Sequence, residues 1–286
     1  MMNVKNSLKL PIATWNCAGR IKIVDKPLIM GIINVTPDSF FDGNATLTTE
    51  DFLQKAKQMI VDGADILDIG GQSTRPGSER IAADVEIDRV LPVINAIKNI
   101  FPDILISIDT YHSSVAAAAV AAGASMVNDI SAGEMDKQMM TTVAELQVPY
   151  ILMHLRGTPE TMQTMTNYEN LVLNITDYFT VKIDACRKAG IKDIILDPGF
   201  GFAKTVAQNF ELLKNLNLFN FYGLPIMVGL SRKSTIYKTL NTTPDQALNG
   251  TTVINTIALL NGANILRVHD VKEAKEVVSL IKAYSN

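Results

Sequence analysis

The residues best equipped for chemistry in this chain recur at intervals, each near the C-terminal end of a short apolar run. They are Asn34 in LIMGIINV, Asp68 in ADILDIGG, Asp109 in ILISIDT, Asn128 in SMVNDIS, His154 in YILMH, Asp197 in DIILDPG, Lys233 just beyond PIMVGLS, and the pair Arg267 and His269 in NILRVHD. Carboxylates and amides can read the donors and acceptors of a small polar molecule, and cations among them can hold a local anion. A lone strand-end aspartate has a plainer use as a helix cap or loop bracket. Asp109 in IDTYHSSV could simply turn the chain into its helix, and Asp68 and Asp129 are left outside the set expected to touch a ligand.

The elements that must position these residues repeat. Apolar runs alternate with helical patterns such as TEDFLQKAKQMIVDG, ADVEIDRVLPVINAIKNI, SSVAAAAVAAG, DKQMMTTVAELQ and KEAKEVVSLIKAY, which gives eight β/α units. Helical stretches end on Gly63-Ala64, Gly123-Ala124 and Gly262-Ala263, where glycine stops the helix and the next strand starts. The fold class expected is α/β, a single (β/α)8 TIM barrel over residues 27–286, with residues 1–26 as a short N-terminal extension forming a hairpin across the barrel floor. A doubly wound open sheet is the alternative. In a barrel the C-terminal strand ends meet on one face, so residues scattered through the sequence would share one pocket.

Composition narrows the functional classes. Of 286 residues 47% are hydrophobic and 19% charged, which suits strands buried on both faces. A net charge of −3 gives no broad reason to bind nucleic acid or an anionic membrane, so any phosphate site must be local. Cys17 and Cys186 have no paired spacing, and no paired-histidine metal pattern occurs, so a disulfide framework and zinc are both disfavoured. With no long apolar segment and no signal-like N-terminus, a cytoplasmic location is expected. DPGFGFAKT is not a phosphate-binding P-loop, because Pro198 and Ala203 stand where that pattern needs glycine.

From about Lys26 onward, NVTPDSFFDG, GGQSTRPG, ISIDT, VNDIS, LMHLRGTP, LDPGFGF, GLSRKS and ILRVHDVKEA occur in the order seen in the dihydropteroate synthase family of pterin-binding barrels, which the chain resembles. The resemblance implies condensation of 6-hydroxymethyl-7,8-dihydropterin pyrophosphate with p-aminobenzoate, a homodimer, Mg2+ as cofactor, and a family targeted by sulfonamides. It implies that Asp197 takes the pterin amino and ring N–H groups, that Asn128 and Asp109 read the other nitrogens, and that Lys233 donates to the carbonyl. Arg267 would stack on the pterin face, as a planar guanidinium can. Asn34, Thr74, Arg75, Arg267 and His269 would bind pyrophosphate, with Asn34 also a ligand to Mg2+. Phe40, Thr74, Pro76, Phe202 and Ser234 would bind p-aminobenzoate, with Ser234 at a helix start. Asp109, Lys233, Asp42 and Arg75 carry the expected catalytic roles, the last two by organising the closed state of two lids, TPDSFFDGN and STRPGSE.

Two positions depart from the family pattern. Gln72 stands where glutamate is expected, and Ala203 where glycine is expected, which is tolerable if the alanine φ is negative. A pterin-binding methyltransferase, or a silent pterin-binding paralogue, would share part of the set. Neither explains why Asn34, Asp42, Arg75, Lys233, Ser234, Arg267 and His269 occur together.

Overall fold

The computed structural model describes residues 13–36, 47–73 and 77–285. The chain enters through an antiparallel hairpin of β1 (Ala13–Cys17) and β2 (Arg20–Val24). Its two-residue turn, Ala18-Gly19, has φ of 52° and 88°, the handedness that matches strand twist in tight hairpins.

Eight parallel strands follow: β3 (Leu28–Asn34), β4 (Ile66–Gly70), β5 (Leu105–Asp109), β6 (Met126–Asp129), β7 (Tyr150–Met153), β8 (Ile194–Asp197), β9 (Met227–Val228) and β10 (Ile265–Val268). Neighbours run β8-β7-β6-β5-β4-β3-β10-β9, and a parallel bridge between Leu196 and Ile226 joins the two ends. The ring closes, so the barrel expectation holds and the open-sheet alternative falls.

The helices are α1 (Thr49–Asp62), α2 (Ala83–Ile100), α3 (Ser113–Ala121), α4 (Met139–Leu146), α5 (Leu171–Ala189), α6 (Val206–Lys214), α7 (Ser234–Thr239), α8 (Leu248–Leu260) and α9 (Val271–Ser285). The short α7 sits between β9 and α8, at the helix start expected at Ser234. All three Gly-Ala pairs close a Schellman turn: glycine is left-handed, and the alanine N–H reaches back to Met59, Ala119 and Ala258 respectively. Among the described residues, no helix is long and apolar enough to cross a membrane.

Strand alternation decides what the barrel holds. Leu28, Met30, Ile66, Met126, Ile151, Ile195, Met227 and Ile265 form an inner apolar floor, and the hairpin residues Trp15, Cys17 and Val24 pack against it. Two residues further along their strands, on the same face, come Asp68, Asn128, Asp197 and Arg267, with Asp109 two beyond Ser107. The alternate residues, among them Ile29, Leu67, Ile106, Val127 and Leu266, join the larger core beneath the helices. Apolar floor and polar mouth are thus one periodicity read at two heights.

Candidate active site

Arg267 organises the mouth. From β10 its Nε donates to Asp68 Oδ2 at 2.6 Å and its Nη2 to Asp109 Oδ2 at 2.5 Å, spanning β3 to reach β4 and β5. Asn128 Nδ2 donates to the same Asp68 oxygen at 3.2 Å. Asp68 is fully buried and does more than bracket a loop: its Oδ2 fixes the guanidinium and the amide, while its Oδ1 has no hydrogen-bond partner. Its position two residues after Ile66 was the available signal. Asp129 points to the opposite side of its strand and binds Ser131, Gly133 and the Tyr150 hydroxyl, which makes it a bracket.

These contacts leave acceptors over. Asp109 Oδ1 and Asn128 Oδ1 are buried with no hydrogen-bond partner, and such atoms are costly unless a ligand or water satisfies them. Burial pushes the Asp109 carboxyl up to about 7 against the pull of Arg267, and the carboxylates of Asp68, Asp129 and Asp197 add to the rise. Burial acts to lower the Arg267 pKa, but Asp68 and Asp109 outweigh it and the net shift is upward.

The second half of the mouth follows β8. Asp197 Oδ1 accepts from the Gly199 N–H at 2.8 Å, and burial raises its pKa against the attraction of Lys233. Lys233 Nζ donates to the Phe200 carbonyl and lies 4.8 Å from the centre of the Phe202 ring. Burial lowers the Lys233 pKa to about 8, with Asp197 pulling the other way. Gly201 has φ of 81°, and a Cβ there would lie 3.1 Å from Lys233 Cδ, so this glycine makes room for the lysine stem.

The remaining expected residues divide. Asn34 is half-buried at the end of β3, in register with Gly70. His269 presents an exposed edge at the mouth; desolvation of the ring, then Arg267 and Lys55, hold its pKa at about 4, so it is a neutral imidazole near pH 7. The Ser231 hydroxyl lies 3.0 Å from His269 Nδ1. Ser234 is the first residue of α7, with Lys233 in the N-cap position, so it stands at a helix start as expected. Phe40, Asp42, Thr74, Arg75 and Pro76 lie outside the described residues.

Gln72 Oε1 accepts from the Ile81 N–H at 2.8 Å, a bond glutamate could make equally, so the exchange keeps the loop contact and drops a charge. Ala203 overturns its condition: φ is +49° and the residue is fully buried. A left-handed alanine costs ~1–2 kcal/mol. Ala203→Gly relieves that cost while losing about 0.8 kcal/mol of methyl burial and ~0.4–1 kcal/mol through the unfolded chain. The expected result in urea unfolding is near-neutrality. A loss of about 2 kcal/mol would mean that alanine carries no such strain.

Sequence reasoning also missed Lys204 and gave His154 no partner. Lys204 Nζ lies 3.0 Å from His154 Nδ1, and both side chains are buried. The link depends on the path of the turn between them, which no spacing encodes.

The donor set bears on a metal. Among the described residues, no three or more His, Cys, Asp or Glu side chains group as an ion cage. What the mouth offers is the Asn34 amide, a hard oxygen donor suited to an ion whose other ligands are waters and substrate oxygens.

Comparison with known proteins places this geometry. The family model described as "Pterin binding enzyme" matches residues 30–269. A dihydropteroate synthase of Synechocystis is 43% identical over 258 residues, 89% of each chain. A folic acid synthesis protein of Schizosaccharomyces pombe is 43% identical over 286 residues, 96% of this chain; that match spans only 39% of the yeast protein. The Yersinia pestis dihydropteroate synthase, solved with a sulfonamide drug, superposes with a TM-score of 0.90 at 39% identity, covering 95% of this chain and 99% of that one. The Xanthomonas albilineans dihydropteroate synthase, solved with 4-aminobenzoic acid, gives a TM-score of 0.89 at 38% identity, covering 96% and 98%.

Proposed function

Because this chain belongs to the family of pterin-binding enzymes, we infer that it catalyses the dihydropteroate synthase reaction. It is a transferase: the methylene carbon of 6-hydroxymethyl-7,8-dihydropterin pyrophosphate loses its bond to oxygen and gains one to the p-aminobenzoate nitrogen, releasing pyrophosphate and the amine proton. The observation that carries the reading is the set of orphaned buried acceptors, Asp68 Oδ1, Asp109 Oδ1 and Asn128 Oδ1, in a mouth that also holds Asp197 and Lys233. A pterin edge, with its amino group, ring N–H groups, ring nitrogens and carbonyl, supplies donors for the former and acceptors for the lysine.

In this mechanism Asp197 accepts from the amino and ring N–H groups, and Lys233 donates to the carbonyl. Arg267, held in one plane by Asp68 and Asp109, stacks on the ring. Carbon–oxygen cleavage builds positive charge on the methylene and the conjugated ring, and Asp109 stabilises it. The aryl amine is unprotonated near neutrality and needs no strong base. Phe202 walls its ring, and the Ser234 hydroxyl meets its carboxylate. Arg267, and His269 as a neutral N–H donor, hold the pyrophosphate together with Asn34. Asn34 would help to hold a Mg2+ ion beside the pyrophosphate, and the chemistry such an ion would supply is neutralisation of leaving-group charge. Phe40, Asp42, Thr74, Arg75 and Pro76 complete the proposed set, Phe40 and Pro76 for the amine, Arg75 for the pyrophosphate, Thr74 for both, and Asp42 with Arg75 for keeping water from the cation.

The test is to incubate purified protein with pterin pyrophosphate, p-aminobenzoate and Mg2+ and to follow dihydropteroate and pyrophosphate together. Methyl transfer to another acceptor, or no turnover, would overturn the assignment.

We further propose that the chain works as a homodimer. Val253 and Ile257, one turn apart on α8, are 51% and 40% exposed, and Leu280 and Tyr284 on the adjoining α9 are 71% and 69% exposed. Apolar side chains paired this way on packed helices suit a self-complementary contact. Light scattering at micromolar concentration should give twice the chain mass, and Val253→Glu with Leu280→Glu should halve it. A wild-type monomer sinks the proposal.

A further inference from the structure

Lys204 has no part in the reaction as derived, yet it is built in closely. It is 6% exposed, and its three hydrogen-bond partners are uncharged: Gly199 O at 2.9 Å, Phe202 O at 3.0 Å and His154 Nδ1 at 3.0 Å. Burying an ammonium among neutral acceptors is costly, and an apolar side chain would fill the space more cheaply. What the lysine does there is satisfy a turn. Gly199, Gly201 and Ala203 have φ of 71°, 81° and 49°, so every second residue is left-handed and the carbonyls of residues 199 and 202 converge on one nitrogen. Without Lys204 the Phe202 carbonyl would lose the ammonium that caps it, and the Gly199 carbonyl would keep only the Phe202 N–H, 3.1 Å away.

The same turn faces the active site with its other side. The Gly199 N–H holds Asp197, the Phe200 carbonyl receives Lys233, and the Phe202 ring lies against the Lys233 ammonium. Behind it the turn presses on the end of β7: a Cβ on Gly199 would lie 2.1 Å from the His154 carbonyl. Asp197 and Lys233 are also held by β8 and by the start of α7, whereas Phe202 lies on the turn itself, its ring partly buried against the cluster of Tyr111, Ile130, Met153, Leu155 and Met162.

We propose that Lys204 is a positioning residue, whose bonds to Gly199, Phe202 and His154 hold the 199–203 turn in the shape that presents Phe202 to the aromatic amine. The proposal rests on the dihydropteroate synthase reading above. Burial lowers the lysine pKa to about 7, and both protonation states close the same bonds. The ammonium donates three; the amine donates two to the carbonyls and accepts Nδ1–H from a neutral His154.

The experiment compares wild type, Lys204→Met, His154→Leu and His154→Asn by turnover and by calorimetric titration with a non-reacting pterin. Wild type without turnover would fell the functional reading and this proposal with it. With wild-type turnover present, folded Lys204→Met should raise KM for p-aminobenzoate at least tenfold, lower kcat, and leave pterin affinity within about threefold of wild type. Equal losses for both substrates would reduce Lys204 to general packing, and an unchanged KM for the amine would remove it from the site. If Lys204→Met does not fold, the histidine pair decides. His154→Leu should raise the amine KM severalfold and His154→Asn, which keeps an acceptor, should restore most of it; identical behaviour of the two overturns the proposal.

Discussion

Replacing Arg267 by methionine is expected to destabilise the fold by ~3–5 kcal/mol, the range for breaking a buried ion pair from one side, and to abolish turnover. The reason is what stays behind. Asp68 is fully buried and Asp109 nearly so, and Arg267 is the cation bonded to both. Methionine fills much of the stem volume, so the loss reports charge more than cavity. Deprived of the guanidinium that pulls it down, the Asp109 carboxyl, already raised by burial, should take up its proton in the folded state still further above its unfolded range. A folded pKa raised above the unfolded value means that the native state binds more protons between the two, so stability falls as pH rises through that window. Denaturant unfolding at pH 5.5 and pH 8 should therefore show the smaller deficit at pH 5.5. Arg267→Lys, which keeps the charge and loses the fork, should lie between wild type and Arg267→Met. Unfolding of Arg267→Met superimposable on wild type at both pH values would mean that the cluster contributes nothing to the fold, and its place as the organiser of the mouth would have to be abandoned.

The same cluster shows what could be read without coordinates. Strand alternation and the Gly-Ala helix stops are local signals, and they placed eight strands and the polar mouth because each element follows its own period. Asp109, Asn128, Asp197 and Arg267 were legible for that reason. Asp68 shared their parity, yet it was set aside because an aspartate inside an apolar run has no visible partner until β10 is brought beside β3. Ala203 and Lys204 failed differently. Their conformations belong to a turn of alternating handedness, fixed by contacts with His154 and Lys233 far along the chain, and sequence position carries no φ angle.

At Asp197 the largest effect is expected on binding with the fold left intact. Asp197→Asn keeps the shape and, through its amide oxygen, the bond from the Gly199 N–H. It replaces the second carboxylate oxygen by an NH2 group, so a donor meets the donors of the pterin edge. Two ligand donors left unpaired at ~1–3 kcal/mol each amount to roughly 2–6 kcal/mol, a loss of affinity from roughly 30-fold to roughly 2 × 10^4-fold. Stability should not follow. Burial already raises the Asp197 pKa, so the folded state bears an unfavourable charge there, and removing it should leave the melting temperature at or above wild type. Lys233 supplies a second check. Its pKa of about 8 includes an upward pull from Asp197, and without that carboxylate the ammonium should lose its proton at lower pH. Pterin affinity, which depends on Lys233 donating, should then fall as pH rises through about 8 in wild type and begin falling earlier in Asp197→Asn. Calorimetric titration of a non-reacting pterin across pH 6 to 9 reads both effects. Wild-type affinity in the variant would take Asp197 out of the pterin site, and an unmoved alkaline limb would show that it does not govern Lys233.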